Sequence, residues 1–163
     1  KFDKSIDDRC KKNSWFKLKK KPDILILEGW CVGARAEGSR SLNRPINVLE
    51  KNADKKKIWR SYVNNQLKSK YSKLFDQLDS LLYLKAKNFK LLKRWRLKQE
   101  KKLKMKSGTK KNSKIMNEKE VETFMMTYQR ITQNMFKNAP KYSSAVIDLN
   151  ENHQIKKVKF KHA

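Results

Sequence analysis

Acidic residues are scarce in this chain: 16 Asp and Glu stand against 42 Lys and Arg in 163 residues, a net charge of +26 at pH 7. There are also only two Cys, three Pro and four Gly. Cys10 and Cys31 give neither a disulfide framework nor the paired spacing of a metal knuckle, which makes a reducing cytoplasm the expected compartment. Long apolar runs are missing too. The stretch Ile24 to Leu27 is far shorter than the roughly 18 to 20 residues a membrane-spanning helix needs, so a transmembrane reading is excluded. No secretory opening is present, and the first residue, Lys1, is not Met. The chain is expected to be a piece of something longer.

What is present argues for a packed domain. Hydrophobic residues make up 37% and aromatics 10%, more than a disordered chain carries, and 163 residues fit one domain with a real core. The charge invites a nucleic-acid reading, since Lys and Arg that neutralise phosphates release counterions. Its composition weakens that reading: 34 of the cations are Lys and eight are Arg, whereas base-edge readout favours the bidentate fork of Arg. No zinc-finger, RNP or basic-zipper pattern accompanies them. Any nucleic-acid binding is expected to be nonspecific.

Periodicity sets out the elements. Pro22 to Gly29, with Ile24, Leu25, Ile26 and Leu27 followed by Glu28, has the pattern of a strand buried on both faces, and it points to an α/β sheet. Residues 33–52 read mostly as loop. From Asp54 to Leu84, apolar residues including Trp59, Val63, Leu67, Tyr71, Leu74 and Leu78 recur at threes and fours, which predicts a long helix. A second helix is expected from Phe89 to Lys104, then a flexible basic loop over 106–114, which has no apolar residue. Asn117 with Glu120 predicts a capped helix start, its buried face running from Val121 to Met135 and its end set by Pro140. Ala145–Leu149 and Ile155–Phe160 read as a hairpin, with His153 and His162 as solvated side chains.

Three clusters carry candidate chemistry. A carboxylate at the end of an apolar strand, here Glu28, can hold magnesium beside phosphates, because ligands of open α/β sheets lie beyond the carboxyl ends of the strands. The same acid also ends many strands for solubility alone. Asp3, Lys4, Asp7, Asp8 and Arg9 combine proton acceptors with cations for an anionic substrate, or form a salt-bridged surface turn. Arg94 and Arg96 flank Trp95 on a helix, where arginines can close over transferring phosphates or simply form a solvated basic face.

The order of these pieces resembles a known family. Phe2-Asp3-Lys4 with Asp7-Asp8-Arg9, the string Glu28-Gly29-Trp30-Cys31-Val32-Gly33-Ala34-Arg35, Pro45-Ile46-Asn47, Trp59-Arg60 with Asn64, and Trp95-Arg96 with Gln99-Glu100 are together similar to the D-glycerate 3-kinase group of P-loop kinases. The likeness runs from Phe2 to about Asn150. It implies a P-loop kinase-like doubly wound parallel sheet, present here in part, helix-rich and ending in a hairpin, as a single domain over 1–163. It also implies phosphoryl transfer from ATP, with Mg2+, to the hydroxyl of a small organic acid, most readily D-glycerate. By the same resemblance, Asp3 and Glu28 are the catalytic carboxylates and Glu28 the metal ligand. Lys4, Arg9, Arg94 and Arg96 bind substrate or phosphate.

One departure is decisive. The only glycines are Gly29, Gly33, Gly38 and Gly108, and none opens a G-x-x-x-x-G-K-[ST] loop. In the family that loop precedes the Phe2-Asp3-Lys4 segment, so the chain is expected to be the later part of a kinase, inactive by itself. Two other readings stay open: a kinase-like ATPase with a different acceptor, and a basic nucleic-acid-binding scaffold derived from the kinase fold.

Overall fold

A computed structural model describes residues 2–3, 8–107 and 115–161, with side chains at 106 and 107 left aside. Two short antiparallel strands, β1 (Phe2–Asp3) and β2 (Asp8–Arg9), open the chain. An irregular stretch with 3-10 turns at Lys12–Ser14 and Ser39–Asn43 leads to helices α1 (Val48–Ala53) and α2 (Ile58–Gln66). A π-helical stretch, Leu67–Tyr71, and a last turn, α3 (Ser72–Phe75), continue α2. Then come β3 (Leu82–Lys85), α4 (Phe89–Ser107), α5 (Glu118–Tyr142), β4 (Ala145–Leu149) and β5 (Ile155–Phe160). The sheet has the order β3-β4-β5, with β3 parallel to β4 and β4 antiparallel to β5. The architecture is mixed α/β and helix-rich, and the hairpin expected at 145–160 is present.

The long helix α5 carries the packing. Its start is a capping box: the Asn117 side chain accepts from the Glu120 N–H, and the Glu120 carboxylate accepts from the Asn117 N–H. Val121, Met125, Thr132, Met135 and Ala139 recur at helical spacing and are buried. Met135 and Ala139 form a core with Ala34 and Leu67, against which Cys31, Tyr83 and Tyr142 pack. Contrary to expectation, α5 runs through Pro140 to Tyr142. Proline lacks one N–H and so costs one ladder bond, which is tolerable in a final turn whose neighbour Ala139 still accepts from Ser143.

Four other expectations are corrected. Ile24–Leu27 is not a buried strand: 23–29 has no regular structure, and Ile24, Leu25 and Ile26 are 79%, 83% and 84% exposed. A doubly apolar strand is buried only between paired neighbours under helices on both sides, and no described strand pairs with it. The helix expected over 54–84 ends at Phe75, and its last apolar residues become β3, held in a parallel ladder by β4. The stripe buried along α2 is also turned. Trp59 is 68% exposed, whereas Arg60, Asn64 and Leu67 face inward, because polar groups of the preceding loop lie on that side. Within residues 33–52, read as loop, α1 and the turn at Ser39–Asn43 are helical. The basic loop expected over 106–114 falls outside the described residues from 108 onward, while 106 and 107 end α4.

Candidate functional site

Polar clamps fix the loop that precedes the helices. Arg130 of α5 donates from Nε to Glu50 Oε1 at 2.7 Å and from Nη2 to Glu50 Oε2 at 2.6 Å. It also donates from Nη1 to Glu37 Oε2 at 3.0 Å and to the Ser41 carbonyl, and from Nη2 to the Arg44 carbonyl. Burial pushes the Glu50 carboxyl up, but the Arg130 and Ile46 hydrogen bonds and the positive charges of Arg130 and Arg60 outweigh it and hold it below its ordinary 4.5. Asp54 and Arg60 form a second clamp, a buried pair 2.9 Å apart in which Asp54 also accepts from the Trp59 and Arg60 N–H groups. Arg60 Nε reaches the Leu42 carbonyl, and the Asn64 amide bonds both backbone groups of Glu37. Arg60 and Asn64 of the resemblance are therefore fasteners of the 37–50 loop, and so are Glu50 and Asn47, whose side-chain amide donates to the Met126 carbonyl and to Gln129 Oε1 of α5.

Further toward the carboxyl ends of the parallel strands, this frame positions a groove. Helix α4 follows β3, and the turn bearing His153 follows β4, so residues from both converge beyond the strand ends, where ligands of open α/β sheets bind. The groove, about 400 Å³, is lined by Trp30, Trp95, Arg96, Lys98, Gln99, Lys102 and His153 together with Leu92. Trp30 is anchored on α5: its ring stacks on Tyr128 at 5.6 Å, and its Nε1 donates to Thr132 Oγ1 at 2.9 Å. Trp95 stacks on His153 at 4.1 Å and donates from Nε1 to the Glu151 carbonyl at 2.9 Å. His153 sits at φ 65° in the hairpin turn, is exposed, and rests its ring on Trp95 rather than projecting freely into water.

The expected site residues separate. Arg96 lines the groove, forms a close ion pair with Glu100, and donates to Gln99 Oε1 at 3.1 Å. Arg94 does not line it and pairs with Glu151 at 3.0 Å. Glu28 lies on the exposed segment just before Gly29 and Trp30 and does not line the groove. Asp3 and Arg9 are exposed on the β1–β2 pair, and Lys4 lies outside the described residues. Lys98, Lys102 and His153 were missed, because one lysine among many and a tail histidine carry no spacing signal of their own. The i, i+4 spacing of Lys98 and Lys102 on a helix was the available hint.

The described residues offer magnesium few protein donors. Among the described residues, no three His, Cys, Asp or Glu side chains gather to hold a metal ion. A single carboxylate such as Glu28 fits an ion that keeps water and phosphate oxygens as its remaining ligands, as magnesium does. The cationic, aromatic groove likewise fits an anionic, phosphate-bearing ligand. Among the described residues, no helix is long and apolar enough to cross a membrane.

No protein-family model matches the chain. It is 32% identical over 133 residues to the uncharacterized kinase mug58 of Schizosaccharomyces pombe, an overlap covering 78% of this chain and 45% of that protein. Its fold is similar to that of D-glycerate 3-kinase from Cryptococcus neoformans var. grubii, with a TM-score of 0.69 at 19% identity, covering 88% of this chain and 51% of that one. The YGR205w protein gives a TM-score of 0.53 at 21% identity, over 80% of this chain and 45% of that one. The chain thus spans about half the length of the relatives it matches. The resemblance read from the sequence stands: the chain is D-glycerate 3-kinase-like in fold and similar to a kinase in sequence.

Proposed function

We propose that the chain is part of an ATP-dependent kinase that phosphorylates the hydroxyl of a small organic acid, with D-glycerate to 3-phosphoglycerate as the reaction. The observation that carries this reading is the convergence of Trp30, from the Glu28-Gly29-Trp30 string, with Arg96 and Gln99, from the Trp95-Arg96 string, in one groove beyond the strand ends. The likeness to kinases in sequence and fold supports it. The phosphate loop is assigned to polypeptide preceding Lys1, and the full sheet to the doubly wound type. Without that loop, the 163 residues alone are expected to be inactive.

In this reading Glu28 holds Mg2+, which offsets phosphate charge when bound. Asp3 accepts the acceptor hydroxyl's proton, with Lys4 and Arg9 holding the acid's carboxylate. Arg96 faces the phosphates from the groove wall, where its charge is worth most as the phosphoryl group moves. Arg94 reaches the phosphates only by leaving Glu151.

The test is ADP release by the polypeptide its gene encodes, with D-glycerate, ATP and Mg2+. Glu28→Gln is expected to abolish turnover while leaving the circular dichroism spectrum and melting temperature unchanged, since Glu28 is exposed. Undiminished turnover in that variant removes Glu28 from the role. ATP hydrolysis that no hydroxy acid accelerates favours a different acceptor.

A further inference from the structure

Behind the groove, α4 carries a buried carboxylate to which the proposed reaction gives no part. The Glu100 side chain is only 6% exposed, and its two oxygens are taken from two directions. Oε1 forms the close ion pair with Arg96, and Oε2 accepts from the Met116 N–H, just before α5, at 3.1 Å. A buried carboxylate needs a countercharge and hydrogen bonds to offset its lost hydration, and Glu100 has both. The carboxylate is therefore a fixed point between α4 and the start of α5.

Arg96 is held by that point and by two others. Its Nη1 serves Glu100 and also Gln99 Oε1, and its guanidinium carbon lies 5.4 Å from the centre of the Phe124 ring. The remaining donors, Nε and Nη2, bond no protein group among the described residues, and Arg96 lines the groove. Arg94 is the contrast, because its pair with Glu151 is 59% and 56% exposed and water competes for it. Phe124 also meets Tyr128 at 5.1 Å, and Tyr128 carries Trp30. One face of α5 thus sets both walls of the groove, Trp30 through Tyr128 and Arg96 through Phe124. An arginine on its flexible stem loses rotamer freedom when a ligand fixes it, so one fixed beforehand binds more tightly.

We propose that Glu100 is a positioning residue for the anionic ligand of this groove: it fixes Arg96 so that Nε and Nη2 stand ready for two oxygens of a phosphate group. The proposal rests on reading the groove as the phosphate side of a kinase, and not on which acid accepts the phosphoryl group.

The test is calorimetric titration of inorganic tripolyphosphate into the polypeptide its gene encodes, at about 0.2 M salt so that solvated lysines are screened. Glu100→Asp keeps the charge but withdraws the carboxylate by one methylene, so a role as mere countercharge leaves affinity unchanged and a positioning role does not. The dissociation constant is expected to rise about tenfold, and about as much in Arg96→Gln. In the Arg96→Gln background, Glu100→Asp is expected to add nothing, because it acts through Arg96. Circular dichroism checks the fold of each variant. Phe124→Leu, which removes the ring beside Arg96 and leaves the ion pair, is the second variant, expected to weaken binding severalfold by the same route. Unchanged affinity in Glu100→Asp overturns the proposal, as does a further tenfold loss on top of Arg96→Gln. So does a failure of the unsubstituted polypeptide to bind tripolyphosphate. Binding that follows the expected pattern in a polypeptide that releases no ADP with D-glycerate upholds Glu100 and rejects the proposed reaction.

Discussion

Arg130 spends its guanidinium on two carboxylates and two carbonyls drawn from residues 37 to 50, far from it in sequence. Its side chain is 11% exposed, so removing it strands Glu37 and Glu50 in a poorly solvated site. Arg130→Met is expected to lower unfolding free energy in urea by about 1 to 3 kcal/mol, less than breaking a fully buried pair from one side costs, because the network is half-buried. The carboxylates give the fold an acid limit. Glu50 and Asp54 are held below their ordinary values of 4.5 and 3.8 in the folded protein, so the unfolded chain binds protons more readily. Their contribution is therefore complete above those ordinary values and lost as pH falls through the lower folded ones. The melting temperature is expected to drop between about pH 5 and pH 2, and Glu50→Gln to start lower and fall less steeply. At Cys31 burial pushes the thiol up to about 11, so its thiolate is scarce at neutral pH.

Among the elements, α4 is held at its first turns by the hairpin turn: Arg94 pairs with Glu151, and Trp95 bonds the Glu151 carbonyl and stacks on His153. His153→Asn keeps a residue that tolerates positive φ while removing the stacking ring. Amides of α4 near Trp95 are expected to exchange severalfold faster in this variant, with tryptophan emission shifted to the red. Unchanged exchange would mean that the Glu151 contacts suffice. How far the sequence discloses such elements depends on what buries them. Helix α5 and the β4–β5 hairpin are legible because apolar side chains fill their inner faces at regular spacing and the Asn117–Glu120 box marks a start. Helix α2 misleads, because its inner face carries Arg60 and Asn64, which are held there by the Asp54 carboxylate and by backbone groups of Leu42 and Glu37, partners that periodicity cannot see. Leu82–Lys85 reads as helix because its apolar run continues the pattern before it, and only pairing with β4 makes it a strand. Ile24–Leu27 has the composition of a central strand without paired neighbours to make it one. At the site, the two tryptophan strings could be singled out, but their convergence on His153, Lys98 and Lys102 is a property of the fold.

At the scale of the whole molecule, charge is the dominant surface property. A net +26 attracts any polyanion, and attraction by solvated lysines is lost as salt competes. Anisotropy of a labelled 20-base-pair duplex is expected to show binding at low ionic strength that disappears by about 0.2 M salt. Binding that persists there would favour the nucleic-acid reading. The pairing of β3 with β4 has a consequence for how the chain is made. Leu81 and Ser144, at the mouths of the two strands, bond across 63 residues of sequence. At translation rates of about 5 to 20 residues per second, the Leu81–Leu84 run leaves the ribosome roughly 3 to 13 s before its partner exists. Through that interval it is a bare sticky segment, so the nascent chain should be a client of ribosome-associated chaperones.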